Sequence, residues 1–193
     1  MSLLQEMIAG DPIHERRIEM RTYPGPDHQV VVEGWLRDER FVRSYRWSGE
    51  ERSAGVVHWM CVRMLVGGEP PTILDVEADM PEIPNTQCRD TIESLKKIVN
   101  LPIAGGFSEE VRQRLGGVAG CHHLTHLVIT MGPAALHGFW TMQSREQKAV
   151  PTSEAEVPHL EYLINSCRLW DENGPFVQRI RERFGQGNDS PSN

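Results

Sequence analysis

The chain has 193 residues, 39% hydrophobic and 24% charged, with 20 basic against 27 acidic side chains and a formal charge of −7. That is a globular composition long enough to bury a core, and an acidic balance without a Lys/Arg-rich block argues against nucleic acid or an anionic membrane surface as partner. No apolar run approaches the roughly 20 residues of a membrane span, and Met1-Ser2-Leu3-Leu4-Gln5-Glu6 has no basic leader, so a cytoplasmic protein acting on a small molecule is expected.

The first half reads as sheet. Ile18, Met20 and Thr22 alternate with Glu19 and Arg21, Pro24-Gly25-Pro26-Asp27 turns the chain, and Val30, Val32 and Leu36 carry the period of two to Arg37-Asp38-Glu39-Arg40. The two runs predict a hairpin. Phe41, Arg43, Tyr45 and Trp47 predict a further aromatic edge strand, followed by a polar break from Ser48 to Gly55. Val56, His58, Met60, Val62, Met64 and Val66 share one face of the longest predicted strand, and Gly67-Gly68-Glu69-Pro70-Pro71 turns it into an antiparallel partner from Ile73 to Ala78.

The second half changes period. Asn85 caps a predicted helix in which Cys88, Ile92, Leu95 and Val99 recur at helical spacing, and Ser108 caps a second that runs through Leu115 to Gly116-Gly117. A third starts near Cys121 with Leu124, Leu127, Val128, Met131 and Ala135 on one stripe, which Pro133 kinks or ends. Pro158 opens a fourth carrying Leu160, Leu163, Ile164 and Cys167, and Asn173-Gly174-Pro175 separates it from a fifth with Phe176, Val177, Ile180 and Phe184. Strands first and helices second is the order of an α+β domain, an antiparallel sheet in the N-terminal half packed by the C-terminal helices. The expected domain spans residues 1–184, with the Gly/Ser/Asn/Pro-rich residues 185–193 as a disordered tail. No dinucleotide or P-loop glycine motif follows a strand, so Gly116 to Gly120 reads as a turn.

Four cysteines are too sparse for a disulfide scaffold, which leaves them as thiols or ligands. Cys88 and Cys121 both fall at predicted helix starts, where unsatisfied N–H groups and partial positive charge favour the thiolate, the form that binds metal or attacks carbon. Cys121-His122-His123-Leu124-Thr125-His126 is the densest ligand cluster. His123 can face inward and share a metal with Cys121 only if Cys121 sits at or before the helix start. His122 and His126 have i, i+4 spacing without the intervening glutamate of a zinc protease helix, and read as solvated. His58 stands on an otherwise apolar strand face. If the helices cover that face, His58, Cys88, Cys121 and His123 form a pool of N/S ligands suited to Zn, Fe or an iron–sulfur cluster, with Asp75, Glu77, Asp79 or Asp90 able to add a carboxylate.

Two other readings stand beside this one: a metal-free nucleophile with Cys121 as thiolate and His123 or His58 as base, and plain core packing of all these groups. Cys61, on the face opposite His58, reads as a packing residue, and Cys167 as core or a late ligand. Arg16, Arg17, Arg21, Arg37, Arg40, Arg43 and Arg46, interleaved with Glu15, Glu19, Glu33, Asp38 and Glu39, predict cross-strand ion pairs.

The stretch from Ile73 to Pro81, Cys88, Gly120-Cys121-His122-His123-Leu124, His14-x-x-Arg17, His58 and Ser166-Cys167 together resemble an uncharacterised bacterial domain family with a G-C-x-H-L signature; that resemblance implies no activity. Val56 to Leu136 is more distantly similar to NifU/IscU-type iron–sulfur scaffold proteins, which implies an antiparallel sheet followed by thiols at helix starts, Cys88 and Cys121 matching two scaffold cysteines. The first scaffold thiol and its aspartate have no counterpart here, and the histidine follows Cys121 instead of preceding it. A non-enzymatic cluster scaffold or carrier is what this second similarity implies.

Overall fold

A computed structural model describes residues 2–185. Contacts divide the chain into two compact units, residues 1–142 and 143–193. Of the expected tail, Gly185 closes a helix and residues 186–193 lie outside the described residues.

The first unit is α+β. After a one-turn helix α1 (Leu3–Met7), strands β1 (His14–Pro24) and β2 (Val30–Arg40) form the expected hairpin, and β5 (Gly55–Gly67) and β6 (Thr72–Glu82) complete an antiparallel sheet in the order β1-β2-β5-β6. Strict alternation builds it. On β2, Val30, Val32, Gly34, Leu36 and Asp38 are buried while the residues between them are half-buried, so one face is interior and the other open. The aromatic edge strand expected from Phe41 to Trp47 is instead a separate two-residue pairing of β3 (Ser44–Tyr45) with β4 (Glu51–Arg52). Phe41, Val42, Tyr45 and Trp47 stay exposed, so their alternation has no surface to pack against.

A second departure lies within β5. Asp38 pairs with His58 but Glu39 pairs with Val56, leaving Val57 as the extra residue of a bulge. The bulge turns Val56 to the open face, away from the row of His58, Met60, Val62 and Met64 with which simple alternation groups it.

The helices cover the interior face. Leu124, Leu127, Val128, Met131 and Ala135 join Val30, Val32, Leu36, Met60, Val62, Met64 and Val66 in one core. They belong to α3 (His122–Gln143), which runs without interruption past Pro133 instead of ending there. Glycines let it approach closely: a Cβ on Gly34 would lie 2.6 Å from the Met131 sulfur, and one on Gly138 would lie 2.6 Å from Thr22 Cβ. Before α3 come α2 (Phe107–Leu115) and a 3₁₀ turn, Gly117–Ala119. The cap of α2 is Gly106, at φ 85, and Ser108 lies inside the first turn, so the expected serine cap is a glycine one.

Residues Thr86–Ile98 are helical as expected and capped by Asn85, but as a 3₁₀ run. The hydroxyls of Thr91 and Ser94 donate to the carbonyls of Cys88 and Thr91, a side-chain competition that favours the tighter i, i+3 winding. Ile92, Leu95 and Ile98 therefore line up, and Ile98 takes the buried place expected of Val99.

The second unit contains α4 (Leu160–Leu163) and α5 (Pro175–Gly185), with Trp170 packed edge-on against Phe176. The expected fourth helix shrinks to α4, and Cys167 is exposed instead of lying on an apolar seam. Among the described residues no helix is long and apolar enough to cross a membrane.

Candidate metal centre

Period-two alternation puts Asp38 at the last interior position of β2. Register does the rest: Arg16 of β1 lies opposite it on one side and His58 of β5 on the other, so one rung of the interior face reads Arg, Asp, His. The first turn of α3 lays His123 over this rung. The His58 and His123 rings stack, centroids 3.9 Å apart and tilted by 34°.

Both imidazoles aim at one carboxylate oxygen. His58 Nδ1 is 3.1 Å and His123 Nε2 is 3.6 Å from Asp38 Oδ2. Arg16 grips the same carboxylate in a fork, Nε donating to Oδ1 at 2.6 Å and Nη2 to Oδ2 at 2.7 Å, and His14 Nε2 stands 3.8 Å from Oδ1. The Asp38 side chain is 5% exposed, against 17% for His58 and 21% for His123, so the carboxylate is buried beside two partly exposed imidazoles.

The electrostatics follow from this packing. Burial pushes the Asp38 carboxyl up, but the Arg16 fork and the two imidazoles outweigh it and hold it below the usual carboxylate value. Burial is also the main influence on His123, and with His58 and Arg16 nearby it pushes the imidazole down to about 4. His123 is therefore neutral at physiological pH, the form that ligates metal.

Among the described residues, one group of His, Cys, Asp or Glu brings three ligand atoms within 4.8 Å of one another: Asp38, His58 and His123. Cys121 borders it. It sits just before α3, its carbonyl accepting from Thr125 N, and its sulfur is 4.0 Å from His123 Nδ1. Cys88 is half-buried against the core and is not in the group. His122 and His126 are exposed. Asp75 pairs with Lys96, Asp79 and Glu77 pair with Arg63 on the open face, and Asp90 is exposed. Cys61 is buried in the sheet, which pushes its thiol up to about 12, a packed and unreactive state.

Asp38 is the residue that sequence reasoning left among the ion pairs. Its signal was present: counting by twos from Val30 reaches Asp38 on the buried side, where a carboxylate needs a partner.

A family described as a protein of unknown function (DUF2889) matches residues 14–137. The match begins at His14 and takes in Arg16, Asp38, His58, Cys121 and His123. No curated protein and no solved structure matches the chain.

Proposed function

We propose, for a chain that belongs to the DUF2889 family of proteins of unknown function, that it is a metal-site protein holding one divalent ion on His58, His123 and Asp38 and using it on a small-molecule substrate. The observation that carries this reading is the spacing of the ligand atoms. A tetrahedral ion about 2.0–2.1 Å from nitrogen and oxygen ligands sets them roughly 3.3 Å apart, and the distances of 3.1 Å and 3.6 Å to Asp38 Oδ2 bracket that edge.

Two imidazoles and a carboxylate are the donor set of catalytic Zn²⁺ and of non-haem Fe²⁺ sites, which keep a position open for water or substrate. Cys121 borders the set through its contact with His123. Arg16 fixes the carboxylate's orientation as an outer partner. An ion held here would polarise a carbonyl or activate water.

A second reading rests on the order Cys121 Sγ, His123 Nδ1, His123 Nε2, Asp38 Oδ2, which is that of a thiol nucleophile, its base and an orienting carboxylate. Its separations are 4.0 Å, the outer limit of a hydrogen bond to sulfur, and 3.6 Å, beyond the roughly 2.6–3.2 Å of a direct proton-transfer contact between nitrogen and oxygen. They favour a shared ion over a relay. The NifU/IscU-type scaffold reading depends on thiolate ligands, and the three-residue group contains none.

Metal analysis of protein purified without chelator is the test. About one equivalent of Zn or Fe is expected, falling about tenfold or more in His58→Ala and His123→Ala. Metal-free protein in which iodoacetamide labels Cys121 stoichiometrically near neutral pH would replace this reading with the nucleophile.

A further inference from the structure

The open face of the sheet carries a feature that the metal centre does not use. Reading across strands, one rung is Arg17, Arg37 and Trp59, and the next is Glu19, Trp35 and Cys61. Trp35 and Trp59 stand diagonally with ring centroids 5.5 Å apart, and Trp59 remains 43% exposed. Together with Arg17, Arg37, the Arg21–Glu19 pair and Val56, which the β5 bulge delivers to this side, they line a cavity of about 470 Å³, a volume typical of small-molecule sites.

The charge pattern is the second observation. Arg17 lies directly opposite Arg37, a pairing that repels across a sheet. Of the expected cross-strand ion pairs, Arg16 with Asp38 forms on the interior face, whereas on the open face Arg17 pairs with Glu15, Arg21 with Glu19 and Arg37 with Glu39, each along its own strand. A guanidinium has five N–H donors, more than its own-strand carboxylate takes up, and Arg17 and Arg37 both line the cavity, so an anion there would bridge them and relieve their repulsion.

We propose that this cavity binds a small planar aromatic anion, its ring resting on Trp59 and Trp35 and its carboxylate or phosphate held between Arg17 and Arg37. The acidic neighbours confine the anion to that position. Glu15 faces Glu39 on the rung beyond it, and Glu33, Glu77 and Asp79 gather around Arg63 on the other side. A continuing polyanionic strand would meet carboxylates at both ends, so the surroundings favour a single small ligand over a nucleic acid.

The test is titration calorimetry with four probes: adenosine monophosphate, adenosine, naphthoate and naphthalene carboxamide. At least one of the two anions binds saturably and about tenfold tighter than its neutral counterpart; which one does so separates a phosphate from a carboxylate ligand. Arg37→Gln and Trp59→Ala each weaken that binding by about tenfold or more, while Arg46→Gln, in the loop between β3 and β4, leaves it unchanged. Equal affinity for the anion and its neutral counterpart, no binding of either anion, or indifference to Arg37→Gln overturns the proposal. So does an oligouridylate that binds about a hundredfold tighter than adenosine monophosphate, which would assign the face to single-stranded nucleic acid.

Discussion

Leu36 and Asp38 stand two residues apart on the same face of β2, and both are buried, at 0% and 3% exposure. Around Leu36 the interior is uniformly apolar, with Met60 paired to it across the sheet. Around Asp38 the same face holds a guanidinium and two imidazoles. The change takes a single step along the strand, immediately before the bulge that shifts the pairing of β2 with β5. The middle of the sheet answers to packing alone, whereas its end satisfies a buried charge with polar partners that can also do chemistry.

Substitution at the two positions breaks the comparison most directly. Leu36→Ala should cost about 2–5 kcal/mol in denaturant unfolding while the folded fraction keeps its full metal content. Asp38→Asn should cost less, about 1–2 kcal/mol, because Arg16 is partly exposed and can turn to water, yet its metal content should fall about tenfold or more. Equal metal content in the two variants would show that the polar end is a structural network only.

How much of this contrast is legible in the sequence depends on the kind of information that fixes it. The sheet, its hairpins and the α3 stripe follow from periods of 2 and 3.6. So does the placement of Cys121 at a helix start and of His58 on the interior face. Three features depend on neighbours in space. Asp38 needs the pairing register that sets Arg16 and His58 on either side of it. The bulge at Val57 needs a mismatch between two strands that neither strand declares alone. The 3₁₀ run from Thr86 to Ile98, along which the Thr91 and Ser94 hydroxyls fold back on carbonyls three residues earlier, is not declared by apolar spacing, and Cys88 packs against the core.

The alkaline limb of the stability profile adds a buried group from the other face of the same sheet. Cys61, buried in the middle of the sheet, has its thiol raised from an ordinary value of 9.0 to about 12. Between those values the unfolded chain gives up the thiol proton and the folded one does not, so stability is complete below pH 9 and is lost as pH rises toward 12. The slope is about 1.4 kcal/mol per pH unit. Urea unfolding at pH 8 and pH 10 should show this loss, and Cys61→Ala should flatten it. A slope that survives in Cys61→Ala would place the alkaline sensitivity elsewhere. At the polar end the sign reverses: the lowered carboxyl of Asp38 supports the fold above the ordinary aspartate range and loses that contribution as pH falls through its folded value.

The smallest effect probes how much the packed middle can yield. Gly34 lies on β2 beneath α3, and an added Cβ would sit 2.6 Å from Met131 Sδ and 2.8 Å from its Cγ, with Leu127 Cδ1 at 3.3 Å. Those atoms belong to flexible ends, and methionine has three rotatable bonds with which to move aside. Overpacking a core costs about 1–3 kcal/mol when the neighbours are rigid, and replacing glycine by alanine recovers about 0.4–1 kcal/mol of unfolded-chain entropy. The opposing terms should leave Gly34→Ala within about 1 kcal/mol of the parent. Thermal unfolding of the protein as purified would measure it, and a loss of several kcal/mol would mean that Met131 cannot move aside.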